Sequence, residues 1–347
     1  MENLNVPVGV SDFAEIRQNG YYYIDKSGLI SDLLKTTGTK VTLITRPRRF
    51  GKTMAMSMLE NFFDIRKDSR KLFAGLEVAQ NEELCQEWLN KWPTIFISFK
   101  SIDGLSFESA YGMLSMLIAE LFNKHLYLLN SDKYTAFEKE KFQMLACRNA
   151  SYEDAKHSIA LLINMLYTYY NKPVIILIDE YDVPIAKAIA NGYYKEMLEV
   201  MKSLLQVLKD NTALRFAVIT SCLKIAKESI FTGTNNFVSD TITASRLNEY
   251  FGFVQSEVDE LLEAAGLQKY AENMKAWYDG YHFGDFDVYC PWDVMNYVLD
   301  LQNNPKAKPA SYWKNTSDNA IIRSFIDYAG NSITKKLEAL LAGKYIV

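Results

Sequence analysis

The residues most suited to a defined chemistry lie in the segment Arg46-Pro-Arg-Arg-Phe-Gly-Lys-Thr53. Its last three residues match the end of the Walker A template G-x-x-x-x-G-K-[ST], which binds nucleotide phosphates. Gly51 allows the backbone to approach the phosphates closely, Lys52 supplies a positive charge, and the Thr53 hydroxyl is an oxygen ligand of the kind that Mg²⁺ prefers. Arg46 stands where the template has its first glycine, and a bare G-K-T also occurs by chance. The short apolar run before the loop and the helical pattern after it favour a phosphate loop.

Backbone N–H groups at the start of the following helix are expected to surround the phosphates, because they are unpaired and lie at the positive end of the helix dipole. The Arg48 and Arg49 side chains could reach the γ-phosphate or an acidic partner. Alternatively, they could be solvated or paired with nearby carboxylates, and the sequence does not decide between these roles. The residues predicted to bind the nucleotide in this loop are Arg48, Arg49, Phe50, Gly51, Lys52, Thr53 and Met54.

A second candidate is the acidic pair Asp179-Glu180, which directly follows the apolar run from Val174 to Ile178. An Asp at the end of a buried strand matches the Walker B pattern, which supports magnesium. Glu180 is then the candidate general base that polarises the attacking water. Such pairs are common on surfaces, but ligands bind at the carboxyl ends of parallel strands. Together the two motifs predict an ATPase with bound ATP and Mg²⁺, in which Lys52 and Glu180 are catalytic and Thr53 and Asp179 serve the metal.

Three further features are ambiguous in the sequence. The run Leu-Arg-Phe-Ala-Val-Ile-Thr ends at Thr220-Ser221, where one hydroxyl could sense the γ-phosphate or could serve only the backbone. We assign the sensor role to Thr220. The tyrosines at 21–23 could stack on adenine, although core packing is the more frequent use of such a run. Arg246 lies where a sensor or finger arginine would be expected, but no local motif supports that role.

The elements that must position these residues follow from hydrophobic periodicity. Apolar strands alternate with amphipathic helices, which predicts an α/β fold with a parallel sheet sandwiched by helices. After residue 245 we expect helices, an aromatic turn-rich segment and no long buried strand. The sequence thus predicts a P-loop ATPase domain with a helical lead-in at 1–245 and a smaller, mostly helical lid or winged-helix-like module at 246–347. The predicted strands are 41–45, 94–99, 174–179 and 214–220, and the predicted helices are 52–65, 107–128, 153–170, 193–209, 256–265 and 268–278.

Composition narrows the class of protein. The 347 residues carry a net charge of -4, which disfavours a generic polyanion binder, although Arg46, Arg48 and Arg49 leave a local basic patch open. The four cysteines lack C-x-x-C spacing, so we expect reduced thiols rather than a zinc cluster or a redox pair. The start lacks signal-peptide features, and the apolar stretches are shorter than the about 20 residues that cross a bilayer. We expect a cytoplasmic protein without a membrane span.

The order of five motifs resembles the bacterial AAA-ATPase-like family over about residues 7–328. These motifs are Y-x-x-D-K-S, T-R-P-R-R-F-G-K-T, I-D-E-Y-D-V-P, S-I-F-T-G-x-N-N-F and W-Y-D-G-Y-H-F-G. In that family the arginine-rich loop is the usual Walker A variant. The resemblance implies a P-loop ATPase core with a helical lid. Because a full P-loop site of this class often takes an arginine from a neighbouring subunit, a homo-oligomer is a further hypothesis.

Members of the family commonly carry a C-terminal PD-(D/E)XK nuclease-like domain. No apolar strand ending in E-x-K is evident near the end of this sequence, so we expect that domain to be absent from this chain. Such a domain, or nucleic acid engaged through a partner, is a candidate for its interactions. Two alternatives stay open. One is a nucleotide-dependent switch with negligible turnover, and the other is a nucleic-acid-handling or defence module.

Overall fold

A parallel β-sheet lies at the centre of the computed structural model, which describes residues 4–35, 38–209, 211–222 and 237–313. Within that part of the chain the sheet has five strands in the order β2-β3-β4-β1-β5. The strands are β1 (Val41–Thr45), β2 (Thr94–Ser98), β3 (Val174–Asp179), β4 (Leu214–Ser221) and β5 (Phe237–Asp240).

Helices cover both faces of this sheet, which explains why its strands are continuously apolar. On β3, Ile176 and Ile178 belong to one buried cluster, whereas Ile175 and Leu177 belong to the cluster on the opposite face. Side chains alternate between the faces of a strand, so each face needs its own apolar set. The helices before the last strand are α1 (Phe13–Gln18), α2 (Gly28–Lys35), α3 (Lys52–Phe63), α4 (Arg70–Phe73), α5 (Glu82–Trp88), α6 (Phe107–Asn123), α7 (Ala136–Ala146), α8 (Tyr152–Lys156), α9 (Ser158–Tyr170), α10 (Val183–Asn191) and α11 (Tyr194–Leu205).

The strand order brings the candidate site residues to one edge of the sheet. β4 pairs with β1 on one side and with β3 on the other. The pairs Thr45 with Ser221 and Ser98 with Asp179 show that these strands end at the same level. The phosphate loop after β1 and the acidic pair after β3 therefore lie on either side of the end of β4.

A further apolar cluster, outside the sheet, organises what we call the C-terminal module, residues 255–303. It consists of α12 (Gln255–Ala264), α13 (Ala271–Tyr278), the strands β6 (Asp279–Phe283) and β7 (Phe286–Tyr289), and α14 (Pro291–Asn303). Val6 from the amino-terminal segment is buried in this cluster, and Val8 and Tyr22 pack against it. The amino-terminal segment thus joins the module to the sheet domain.

The fold class predicted from the sequence is confirmed, with differences in detail. β5 was not predicted, because Phe-Val-Ser-Asp is too short and too polar at its end to stand out. The module is mostly helical as expected, but its aromatic segment forms the antiparallel hairpin β6–β7. The predicted helix 153–170 is divided into α8 and α9 at His157. The division between domains at residue 245 stays a prediction. The expected module beyond residue 313 and most of the S-I-F-T-G motif lie outside the described residues.

Candidate functional site

The phosphate loop leaves β1 and turns into α3 at Gly51. This residue adopts the left-handed conformation, with φ 82°, and the space around its missing side chain is open. The backbone N–H of Arg46 donates to the Ser221 carbonyl at 3.2 Å, which holds the start of the loop against β4. α3 begins at Lys52, so its unpaired first N–H groups face the loop. This is the arrangement by which a helix N-terminus binds an anion.

The Lys52 ammonium group is buried inside the loop, with only 4% of the residue exposed. It donates to the carbonyl oxygens of Arg46 at 3.0 Å and Pro47 at 2.8 Å, and to Cys222 Sγ at 3.3 Å. A thiol is a weak hydrogen-bond acceptor. A phosphate oxygen that replaced it would form a stronger, charge-assisted bond to the same ammonium group.

The Asp179 carboxylate is fully buried and accepts hydrogen bonds from hydroxyls on three different elements. Thr53 Oγ1 donates to Oδ2 at 2.9 Å, Ser98 Oγ donates to Oδ2 at 3.3 Å, and Thr220 Oγ1 donates to Oδ1 at 2.6 Å. The structure therefore brings together both predicted metal residues and the predicted sensor. Sequence reasoning missed Ser98, which could have been found only from the expectation that β2 ends beside β3.

Glu180 directly follows β3 and faces the same cavity as the phosphate loop. Its backbone conformation is strained. Its φ is 53°, which is uncommon for a residue other than glycine and typical of functional positions. Burial raises the pKa of its carboxyl, and the neighbouring charge of Asp179 raises it further, whereas Lys52 and Arg48 act in the opposite direction. A carboxylate with a raised pKa is a better proton acceptor near neutral pH.

Glu180, Lys52 and Thr53 line a cavity of about 300 Å³. Its opposite walls come from the amino-terminal segment 7–11, from Tyr22 to Ile24, and from the start of α14. Pockets for small molecules are commonly of this size and mostly apolar, with few polar groups. The amino-terminal wall was not predicted, because nothing in that segment matches a phosphate-binding motif. The phosphate loop thus forms part of the wall of this cavity.

Arg49, Phe50 and Met54 of the loop also line this cavity. Arg49 and Phe50 contact the C-terminal module as well. Arg48 lies close enough to Glu180 to lower its pKa, whereas the Arg49 guanidinium stacks on the Trp292 ring at 4.1 Å. The Phe50 ring is buried and packs on Tyr281 and Phe283 of the hairpin. If Phe50 contacts a nucleotide, its backbone must provide the contact.

The remaining ambiguous residues take defined places. Thr220 faces Asp179, whereas the Ser221 hydroxyl lies 3.4 Å from Thr45 Oγ1. Tyr23 donates from its hydroxyl to Met58 Sδ at 3.3 Å, so it is packed in the core beside the cavity. Arg246 lies near the buried Asp240, with 3.9 Å between Nη2 and Oδ2. Arg46 is fully buried and cannot contribute to a basic surface patch.

The positions of the histidine, cysteine, aspartate and glutamate side chains show which kind of metal site the residues could form. Among the described residues, no three such side chains are grouped in a way that would hold a metal ion by themselves. Mg²⁺ is usually bound by one or two protein carboxylates together with water and substrate phosphates, so it does not need a cluster of three protein ligands. Thr53 and Asp179 offer oxygen ligands of the right kind, so the residues present fit a magnesium ion of the phosphate-bound type.

The sheet order, the loop and the helix after it define a fold of the P-loop NTPase type. The chain belongs to a family described as predicted AAA-ATPases, whose model matches residues 7–231. Membership supports a general ATPase role. The family named from the sequence motifs is thereby confirmed.

A relative in Azotobacter chroococcum mcd 1 is named "Uncharacterized protein in vnfD 5'region" and is 30% identical over 300 residues. The match covers 85% of this chain and 52% of that protein. The chain therefore spans about half the length of this curated relative. As to membranes, no helix in the described ranges is both long and apolar enough to cross one.

Proposed function

We propose that this chain binds ATP with Mg²⁺ at the phosphate loop and hydrolyses it. Lys52 and the backbone N–H groups of Gly51 to Met54 contact the phosphates, with Arg48 close to the γ-phosphate end. Thr53 and Asp179 hold the magnesium ion, Thr220 orients Asp179, and Glu180 activates the water. When bound, the metal neutralises charge on the phosphate oxygens.

The observation that carries this proposal is the hydrogen bond between Thr53 Oγ1 and Asp179 Oδ2 at 2.9 Å. These residues are 126 positions apart in sequence and belong to separate motifs. Their contact places the end of the phosphate loop against the acid that would support the metal. Glu180 lines the same cavity as Lys52, so the candidate base and the phosphate-binding ammonium share one space.

The chemistry follows from this arrangement of charge. Transfer of the γ-phosphoryl group to water leaves little covalent work for the protein, and positioning with electrostatic stabilisation provides most of the rate. Lys52 is held by loop carbonyls in a buried setting, where its charge is weakly screened by solvent. Glu180 accepts a proton from water, and its raised pKa suits that role.

The apolar part of the cavity supports a site for the nucleotide base. It is bounded by Pro7, Val8, Ile24 and Met58, and apolar side chains of this kind line most small-molecule pockets. Tyr22 also lines this space and could contact the ring face. The choice of adenine rather than guanine follows from the family.

The larger assembly is also a proposal. Residues 1–245 would form the ATPase domain. Residues 246–347, which include the C-terminal module, would form a lid whose position depends on the bound nucleotide and controls a downstream effector. An arginine from a second copy of the chain would complete the site, in a cytoplasmic homo-oligomer. Specific activity that rises with protein concentration would support this, and constant activity of a monomer would contradict it.

Nucleotide binding is tested by comparing Lys52→Met with Lys40→Met. Lys52 is buried and Lys40 is partly buried, and both donate to backbone carbonyls. Lys40 donates to those of Leu214 and Arg215, at the end of the sheet opposite the phosphate loop, so it serves as the control. Calorimetric titration with MgATP should show binding to the wild type and to Lys40→Met. Lys52→Met should lose at least about 2 kcal/mol of binding free energy, as expected for a charge-assisted contact. Equal affinities of the two variants would refute the site.

A further inference from the structure

The side chain of Arg46 leaves the phosphate loop and enters the protein interior. Its Nη1 donates to the carbonyls of Thr45 at 2.9 Å and Asp240 at 2.8 Å. Its Nη2 donates to the carbonyl of Arg246 at 3.4 Å and to Asn248 Oδ1 at 2.7 Å. One side chain of the loop therefore contacts the end of β5 and the segment that leads to the C-terminal module.

The environment of this guanidinium explains why an arginine occupies the position. Burial lowers the pKa of Arg46 to about 10, and the nearby Asp240 opposes that shift. The rings of Phe251 and Phe283 lie 5.3 Å and 5.5 Å from the guanidinium carbon. A buried cation is stable only when it is well hydrogen-bonded, and the planar fork of arginine reaches several acceptors that a single ammonium group cannot reach together.

At its far end, Arg46 holds a segment that is itself under constraint. Asn248 is fully buried, and its Nδ2 donates to the Ala244 carbonyl. Leu247 adopts a φ of 61°, which is strained for a bulky residue. Gly284 of the hairpin packs directly on Asn248, since a Cβ atom there would lie 2.2 Å from Asn248 Nδ2. The position of the hairpin therefore depends on Asn248, and Asn248 depends on Arg46.

At its near end, Arg46 contacts the phosphate-binding lysine. Its carbonyl accepts a hydrogen bond from Lys52 Nζ at 3.0 Å. Four positions further along, the buried Phe50 ring lies 5.1 Å from the ring of Phe283. A displacement of the loop by phosphate would move both contacts. The loop and the hairpin are thus joined by a polar connection and an apolar one.

We propose that Arg46 is a positioning residue that couples occupancy of the phosphate loop to the docking of the β6–β7 hairpin. It takes the place of the template glycine but acts through its side chain, which links Lys52 to Asn248 and Gly284. Regulation by nucleotide rests on the proposed function, whereas the mechanical link between loop and hairpin does not. The module would then respond to the nucleotide through this residue.

Hydrogen–deuterium exchange of Arg46→Lys tests both the link between the loop and the hairpin and the response of that link to nucleotide. Without nucleotide, peptides spanning 240–253 and 279–289 should exchange at least about tenfold faster than in wild type, because charge-assisted hydrogen bonds that close the segment are lost. With saturating MgADP, wild type should show slower exchange in the loop and the hairpin. The variant should keep the protection in the loop and lose it in the hairpin.

Arg17→Lys is the matched control, since Arg17 also donates to two carbonyls, those of Leu72 and Ala74. It should leave exchange in the hairpin unchanged. If Arg46→Lys does not fold, Asn248→Ala breaks the same connection at its other end and should give the same pattern. If the hairpin of both Arg46→Lys and Asn248→Ala exchanges at the same rate as in wild type, the proposal is overturned. If wild type fails to bind MgADP, the proposed function is refuted, and the nucleotide-free comparison still decides the link.

Discussion

The hydrogen bond from Thr220 to Asp179 provides the sharpest single test of the site. Thr220→Val removes the hydroxyl that donates to Oδ1 at 2.6 Å and changes the side-chain volume little. Both residues are fully buried, so water cannot replace the lost donor. The carboxylate keeps its bonds from Thr53 and Ser98, and the substitution therefore isolates one contact.

The magnitude follows from the type of bond. A hydrogen bond to a charged group contributes about 1.5–3 kcal/mol, and an unsatisfied buried acceptor costs a similar amount. We expect Thr220→Val to lower the free energy of unfolding by about 2 kcal/mol in urea denaturation. Because Asp179 is then less well oriented, phosphate release should also fall about tenfold, which corresponds to about 1.4 kcal/mol in the barrier, and should need more Mg²⁺ for half-maximal rate.

Ser221→Ala is the neighbouring control. The Ser221 hydroxyl lies 3.4 Å from Thr45 Oγ1, which is a long contact between neutral groups. Its loss should cost about 1 kcal/mol or less and should leave the Mg²⁺ dependence unchanged. If Thr220→Val costs no more than Ser221→Ala, or if Ser221→Ala alone alters the Mg²⁺ dependence, the assignment of Thr220 is refuted.

Three other substitutions test the surroundings of the site by urea denaturation. Burial raises the pKa of Glu180, so its ionised form destabilises the folded state once the pH exceeds that pKa. Glu180→Gln should therefore have a larger free energy of unfolding than wild type at pH 7–8, and the difference should shrink on acidification. A difference that stays constant with pH would contradict this. Gly284→Ala, at φ +55°, should cost about 2 kcal/mol, whereas Gly280→Ala, with open space around it, should cost less; equal costs would refute the packing. Lys26→Met leaves the Glu257 carboxylate, 2.6 Å from Lys26 Nζ, without its ion-pair partner and should lower the free energy of unfolding by about 3 kcal/mol. Adding Glu257→Gln should recover part of this loss. If the effects of the two substitutions simply add, the coupling is disproved.

The sheet and the gathering of the two motifs could be foreseen because their signals are local. Apolar runs such as Val174 to Ile178 identify buried strands by themselves. Once strands are taken as parallel, their carboxyl ends must meet at one edge, so the proximity of Thr53 and Asp179 follows. The family resemblance agreed with this and was confirmed.

The features that could not be foreseen depend on contacts between distant segments. Whether Arg46 points to solvent or to the interior depends on Asn248, which is 202 positions away. The amino-terminal wall of the cavity, residues 7–11, has no pattern of its own and gains its place by packing on the module. The sequence predicts turns rather than a hairpin at 279–289, because the two strands are short and partly exposed. The hairpin is stabilised by packing on the Phe50 ring, a contact between distant segments.

The central claim is that Glu180 and the phosphate loop form one hydrolytic site. The most direct measurement is Mg²⁺-dependent phosphate release from ATP by wild type and by Glu180→Gln, with ATP affinity measured in parallel. We predict release by wild type and at least about hundredfold slower release by the variant at similar affinity, as for loss of a general base. Equal rates would contradict the role of Glu180, and binding without release by wild type would show that the chain is a nucleotide switch rather than an ATPase.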